Sequence, residues 1–314
     1  MATLLVSDPI FLEHLVPPGH PERPDRLRAI DRALSDEAFT GLDRRAAPAP
    51  VGEETLAFAH DQRYIALIRD NVPGQGFTRL DADTTLSPNS YVAATRAVAA
   101  ATMAVDAVIG GSVTNAFCAT RPPGHHAEPT QAMGFCLFAN AVIAARHAQR
   151  AHGVGRVAIV DFDVHHGNGT QACVWSDPTI LYASTHQMPL YPGTGAASER
   201  GVGNVFNVPL APGAGGVEFT EALTSVILPA LVSFAPELII VSAGFDAHWR
   251  DPLASLNFEE EDYASATRML MDVADRHAGS RIISLLEGGY DLQSLADSVA
   301  AHVKTLMSVS EDKP

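Results

Sequence analysis

Apolar residues in this chain come in short blocks separated by polar, glycine- and proline-rich stretches. Aliphatic runs at 3–7, 113–119, 156–160, 179–184, 204–210, 237–244 and 281–286 have strand length and little internal alternation, the pattern of strands buried on both faces. Between them lie segments of helical period near 25–35, 53–70, 88–109, 137–152, 218–234, 257–277 and 292–307. Their punctuation is chemical. Ser87-Pro88 reads as an N-cap followed by proline at the first helical position, and Asn257-Phe-Glu-Glu260 as a capping box. Gly110-Gly111, Gly153 and Gly279 are stops, and Pro229 is a kink or break. Strands alternating with helices predict the α/β class, with a mainly parallel sheet covered on both faces. No linker, repeat or composition shift divides the chain, so one catalytic-size domain over 1–314 is expected, with 308–314 a frayed tail.

Composition narrows the partners. Hydrophobic residues make up 46% and charged residues 18% of the 314, enough for a large core. A net charge of -15 argues against nucleic acid. The three cysteines, Cys118, Cys136 and Cys173, form no C-x-x-C and read as buried thiols in a reducing compartment. The N-terminus lacks the pattern of a signal peptide, and no stretch approaches the ~20 apolar residues of a membrane span. The expectation is a cytoplasmic protein with no membrane or nucleic-acid partner. The oligomeric state is left open, a homo-oligomer included.

The chemistry sits where the aliphatic runs end. Arg156-Val-Ala-Ile-Val-Asp161-Phe-Asp163-Val-His165-His166-Gly-Asn168-Gly169 is a buried strand closing in carboxylates, imidazoles and two turn-forming glycines. Asp163 and His165, at i and i+2, share one face of extended backbone. An isolated Asp-x-His is most often a polar strand end. Here it recurs among similar clusters: Arg121-Pro-Pro-Gly-His125-His126 after one run, Phe245-Asp246 after another, Glu287-Gly288-Gly289-Tyr290 after the last. Ligands of parallel sheets gather beyond the carboxyl ends of the strands, so one crevice could collect them all.

Asp163, His165 and Asp246 would give Zn2+ three ligands and an open position for water. His125 and His126, whose ordinary pKa of ~6.5 suits proton transfer near neutrality, would act as base and acid. Tyr290 would hydrogen-bond a developing oxyanion, and Gly288 and Gly289 would let backbone approach a ligand. No G-x-S-x-G or placed Cys-His pair offers a covalent nucleophile. The reaction class is metal-assisted hydrolysis of an amide or related acyl bond.

Together these motifs resemble the zinc-dependent histone deacetylase family. The likeness covers His20-Pro-Glu-Arg-Pro-Asp-Arg26, Arg121–Ala127, Gly134-Phe-Cys136, 161–170, Tyr191-Pro-Gly-Thr-Gly195, 242–248 and 287–290, nearly the whole chain. Asn168 resembles the class II branch, which includes bacterial amidohydrolases and acetylpolyamine amidohydrolases.

The resemblance implies an arginase/deacetylase-like three-layer fold with an eight-stranded sheet and zinc on Asp163, His165 and Asp246. His125 and His126 would be oriented by Asp161 and Asn168, and Tyr290 would be the transition-state tyrosine. Phe135 and Tyr191 would wall an acyl-lysine tunnel, the Gly134 carbonyl would accept the substrate N–H, and Leu253 would line the mouth. An acidic residue there marks polyamine-preferring relatives, so leucine speaks against that preference. Arg26 would line an inner acetate pocket. Potassium is implied at Asp161, Asp163, Ser184 and the His165 and Thr185 carbonyls. A second potassium site would lie around Val174, Asp177 and Ile180. The substrate would be acetyl-lysine or another small acylated amine. Two other readings compete: an acyl-lysine binding module without turnover, and an arginase-like ureohydrolase, which needs a second metal and further aspartates.

Overall fold

The computed structural model describes residues 2–308. The expected frayed tail lies outside these residues except for Ser308. The strands are β1 (Thr3–Val6), β2 (Asp43–Arg45), β3 (Thr78–Arg79), β4 (Thr85–Leu86), β5 (Asn115–Cys118), β6 (Val157–Asp161), β7 (Ile180–Gln187), β8 (Val205–Leu210), β9 (Leu238–Ala243) and β10 (Ile282–Leu286). The helices are α1 (Asp25–Leu34), α2 (Glu53–Leu56), α3 (Gln62–Asp70), α4 (Ser90–Ile109), α5 (Asn140–His152), α6 (Asn168–Val174), α7 (Gly216–Ala222), α8 (Leu228–Phe234), α9 (Glu260–His277) and α10 (Leu292–Met307).

Eight strands form one sheet in the order β2-β1-β5-β10-β9-β6-β7-β8; every pairing in it is parallel. The central strands are buried at every residue, whereas the edge strands are marked by their sequence. β2 is Asp-Arg-Arg and β8 carries Pro209, both features of strands that must not recruit a further neighbour. Helices α4, α5 and α6 cover one face, and α1 and α7–α10 the other, giving the three-layer α/β architecture expected.

The strand order positions the site. After β5 the chain crosses to β6, runs outward through β7 and β8, then returns to insert β9 and β10 between β5 and β6. The strands preceding the four polar clusters are therefore contiguous, and their carboxyl ends open side by side.

Several local expectations need correction. Helix α4 starts at Ser90, not at Pro88; the Ser87 hydroxyl instead accepts the Leu15 N–H at 2.9 Å. The capping box of α9 lies two residues later than expected, Asp262 accepting the Glu259 N–H at 2.8 Å, while Asn257 ties to the Gly213 carbonyl at 3.0 Å. Pro229 does not break its helix: a π-turn, Leu223–Ile227, widens the path, and proline then falls in the first turn of α8, where its missing N–H is not required. Asn168 and Gly169 open α6 rather than a turn. Strand β7 runs on through Ser184, Thr185 and His186. By length and apolar composition two helices could cross a membrane, Ser90–Ile109 and the continuous Gly216–Phe234. The first is an alanine-rich layer largely buried against the sheet, which small side chains let approach closely; the second is mostly exposed.

Candidate active site

Three donors meet at the centre of the crevice. Asp163 and His165 follow β6, and Asp246 follows β9. His165 Nδ1 lies 3.1 Å from both Asp163 Oδ1 and Asp246 Oδ2, and both carboxylates are fully buried. Backbone N–H groups hold them: Val164 donates to Asp246 Oδ1 at 2.9 Å and Gly288 to Asp163 Oδ2 at 2.8 Å. A side chain on Gly288 would overlap both carboxylates, so glycine is required for β10 to close the cluster. Burial by itself would lower the His165 pKa, but its hydrogen bonds to Asp163 and Asp246 overcome this and push it up to about 10. Burial, then the Asp163 charge, pushes Asp246 up. Two like charges thus face each other out of water with one imidazole between them, an arrangement completed by a cation.

Beside the triad, the rings of His125 and His126 lie tilted at 44° with their centroids 4.0 Å apart. His125 Nδ1 is 3.1 Å from Asp161 Oδ2, and its Nε2 is 3.8 Å from Asp163. Burial opposes its charge, yet Asp163 and Asp161 hold its pKa well above the ordinary value. His126 goes the other way: burial, then His125 and His165, hold it well below. Its tautomer can be read from its neighbours. Asn168 donates through Nδ2 to Glu128 Oε1 at 2.8 Å. The carboxylate can only accept, so the Asn168 oxygen must face His126 Nδ1, 2.7 Å away. His126 Nδ1 therefore carries the proton and Nε2 is left as an acceptor.

Tyr290 follows β10, two residues beyond Gly288. Burial, then the charges of Asp246 and Asp163, push its phenol pKa well above the ordinary value, which keeps the O–H a donor. Its ring meets Phe135 edge-on at 5.9 Å and lies under the Arg26 guanidinium, 5.0 Å from the centroid. Tyr191 stands edge-on to His126 at 5.3 Å and to His165 at 6.3 Å, 40% exposed at the mouth. Phe135 adopts φ 68° after Gly134 at φ 55°; a side chain on Gly134 would overlap the His126 ring. Leu253 is half-buried on the segment that leads from Asp246. Arg26 is fully buried and donates to the Gly289 and Glu287 carbonyls at 2.6 Å each.

Two residues expected at a first potassium site also meet. Asp161 and Ser184 are register partners, and Thr185 Oγ1 is buried without a hydrogen-bond partner. At the second, the carbonyls of Val174, Asp177 and Ile180 converge, but on the Asn204 side-chain nitrogen, at 2.9, 3.0 and 2.8 Å. An amide serves those carbonyls here.

Four supporting residues were given no role by the sequence. Glu128 sets the Asn168 amide. Glu287 accepts the Gly124 and His125 N–H groups at 2.7 and 3.2 Å, and burial pushes its pKa up to about 7. Asp251 accepts the Tyr290 N–H at 2.7 Å and the Leu253 N–H at 3.0 Å. Glu22 joins Arg26 and Arg121 in a buried ion cluster. For Glu287 a signal existed, a carboxylate ending a buried strand. The others act from loops whose partners are remote in sequence.

A parallel three-layer sheet with this buried acid–imidazole crevice defines the arginase/deacetylase class of α/β fold, and comparison with known proteins agrees. The histone deacetylase domain family matches residues 20–306. An uncharacterized protein of Synechocystis is 44% identical over 95% of this chain and 97% of its own length. The histone deacetylase-like amidohydrolase of Pseudomonas aeruginosa is 41% identical over 87% of this chain and 73% of its own length. The crystal structure of the HDA15 HD domain superposes with a TM-score of 0.92 at 36% identity, covering 98% of this chain and 89% of that one. The chain belongs to the histone deacetylase family and is a hydrolase of that family.

Proposed function

We propose that this protein is a zinc-dependent amidohydrolase that removes an acetyl or similar acyl group from an amine such as the lysine side chain. The observation that carries this reading is the single crevice in which a charge-deficient Asp–His–Asp triad faces a charged and a neutral histidine. The triad fits Zn2+: its donor atoms lie within 4.8 Å of one another, and two carboxylates with one imidazole are a donor set the ion favours. Bound there, zinc would supply Lewis acidity to the amide carbonyl and the attacking water.

The remaining work falls to the protein. His126 Nε2 accepts the proton of the attacking water. His125, held as imidazolium by Asp161, keeps positive charge beside the reacting carbonyl and a proton near the departing amine. The Tyr290 O–H donates to the oxyanion. Phe135 and Tyr191 flank the acyl chain, the Gly134 carbonyl accepts the substrate N–H, and Arg26 braces Tyr290 from behind at the inner end where the acid product forms. A monovalent cation at Asp161, Asp163, Ser184 and the His165 and Thr185 carbonyls would rest behind the triad, near the unpartnered Thr185 hydroxyl.

Leu253 at the mouth favours acetyl-lysine peptides over acetylpolyamines, which would gain from an acidic residue there. The test is hydrolysis of an acetyl-lysine peptide before and after chelation, with kcat/KM compared across that peptide, N-acetylputrescine and N-acetylspermidine. Loss of activity on chelation and recovery with Zn2+ are expected. Turnover that survives metal removal would overturn the mechanism, and tight binding without turnover would make the protein a reader of acyl groups.

A further inference from the structure

A second cluster of metal-binding groups lies at the other end of the molecule. Asp106 is in the last turn of α4; His147 and His152 are on α5, His152 as its final residue. Both Nε2 atoms lie 2.7 Å from the same carboxylate oxygen, Asp106 Oδ1, and the two rings are 5.9 Å apart, edge to face. The donor atoms of all three residues lie within 4.8 Å of one another. Helices α4 and α5 lead into the starts of β5 and β6, so the cluster sits at the amino ends of the strands, opposite the crevice.

We infer that Asp106, His147 and His152 form a surface site for a divalent transition cation, Zn2+ being the best match. Two imidazoles and a carboxylate are a familiar zinc donor set, and they leave coordination positions open to water. Each side chain is partly exposed, at 53%, 21% and 25% in sequence order, so an ion can enter from solvent. Both imidazoles already point at the same carboxylate oxygen. With the carboxylate as the sole acceptor for two imidazoles, an ion about 2.0–2.2 Å from each donor needs only small side-chain shifts and the transfer of each ring proton to Nδ1.

A second observation is electrostatic and independent of the donors. The carboxyl ends of α4 and α5 converge here, α4 ending at Ile109 and α5 at His152. Each helix end carries a partial negative charge of roughly half an electron. The site therefore offers a cation one carboxylate and two helix ends, with no arginine or lysine among its side-chain partners within the described residues. An ion bound there would pin the end of α5 to α4 and tie together the layer covering one face of the sheet.

The experiment counts Zn2+ bound per chain by equilibrium dialysis and elemental analysis. The intact protein is compared with His147→Ala/His152→Ala, with Asp246→Asn, and with the three changes combined. Two ions are expected in the intact protein, one in each of the first two variants and none in the combined variant. Losing a direct ligand should weaken the surface ion by more than the roughly 10–100-fold cost of losing an outer hydrogen-bond partner. Asp106→Asn, which keeps the side-chain shape, should lower affinity in the same sense. Hydrolysis of acetyl-lysine peptide should be unchanged in the two surface variants. Zn2+ added to protein already carrying one equivalent should shift the His147 and His152 ring resonances.

The proposal fails if the double-histidine variant holds as many ions as the intact protein. It also fails if the intact protein holds one ion that Asp246→Asn alone abolishes. In that case the cluster is a hydrogen-bonded trio only, and the reading of the crevice stands untouched.

Discussion

Two ion clusters among the described residues are buried, and they are built on opposite terms. In the first, one carboxylate, Glu22, lies between two guanidinium groups, Arg26 and Arg121. What Glu22 does not occupy is met by carbonyls. Arg121 donates to Phe11 at 2.8 Å and to His14 at 3.2 Å, and Arg26 to Gly289 and Glu287. In the second, Asp163 and Asp246 face each other across His165, with backbone N–H groups fixing their positions but not supplying a counter-charge. The first is complete in hydrogen bonds, its one excess guanidinium charge spread over carbonyl oxygens, and braces the fold; the second, two carboxylates against one imidazole, is short of positive charge and awaits a ligand. Arg26 of the first lies over the Tyr290 ring, so the complete cluster braces the donor proposed to serve the second.

The contrast predicts opposite responses to losing one member. Arg121→Met strips Glu22 of a partner and leaves several carbonyls unpaired in the core. It should cost about 3–5 kcal/mol of stability while the remaining folded protein still takes up metal. Asp246→Asn should abolish metal binding in the crevice, yet the metal-free variant should be at least as stable as metal-free wild type, because a like-charge contact has gone. Chemical denaturation of chelator-treated proteins measures both. If Asp246→Asn destabilises as Arg121→Met does, the triad is a brace too and the distinction collapses.

Tyr290 joins the two clusters, so removing its hydroxyl should touch chemistry without touching either. Tyr290→Phe keeps the ring under Arg26 and against Phe135. It should lower kcat by about 10²–10³, the usual cost of one oxyanion donor, with bound metal and thermal stability unchanged. A variant that turns over normally would remove Tyr290 from the mechanism.

Histidines carry the contrast into pH. The two carboxylates push His165 up, but His14, 3.7 Å from Glu22, is held down to about 3 by burial and then by Arg121. His302 and His60 are likewise lowered by burial, to about 3 and about 4. These three are neutral when folded and take up protons on unfolding once pH falls below their unfolded value near 6.5. The unfolded chain then binds more protons, so stability falls as pH drops from about 6.5 toward 4, by about 1.4 kcal/mol per pH unit for each histidine. Their contribution is fully present above that window. Urea midpoints between pH 7 and 5 should show the slope, and His14→Gln should reduce it by one histidine's worth. An unaltered slope would mean that His14 is charged in the folded protein.

Much of this was legible before any coordinates. Asp163, His165, Asp246, His125, His126 and Tyr290 each sit within a few residues of a run of buried aliphatics, and the parallel-sheet rule says such ends open on one side. What could not be read was the support. Glu22 reaches Arg121 across 99 positions and Asp251 reaches Tyr290 across 39, both from loops with no periodic signature. Asp106 lies in a helix that looks uniformly apolar, and it meets His147 and His152 only because two helix ends converge. Charge patterns within a segment are visible in sequence; charge balance between segments exists only once they fold together.

Asp251 offers the finest division between the two kinds of cluster. Burial, then the nearby Asp246, pushes its pKa up to about 7, yet both its oxygens are used, one on the Tyr290 N–H and one on the Leu253 N–H. It thus links the donor tyrosine to the mouth of the crevice without touching substrate, a positioning residue. Asp251→Asn keeps one acceptor oxygen but turns an amino group toward the other N–H, so one of the two backbone bonds is lost. That should cost about 1 kcal/mol, read as a several-fold fall in kcat with metal content unchanged. Because the variant cannot ionise, any inflection near pH 7 that Asp251 contributes to the kcat profile should vanish with it. A substitution that lowers stability but leaves kcat and its pH profile as they were would place Asp251 with the complete cluster, as a brace, and remove it from the path between Leu253 and Tyr290.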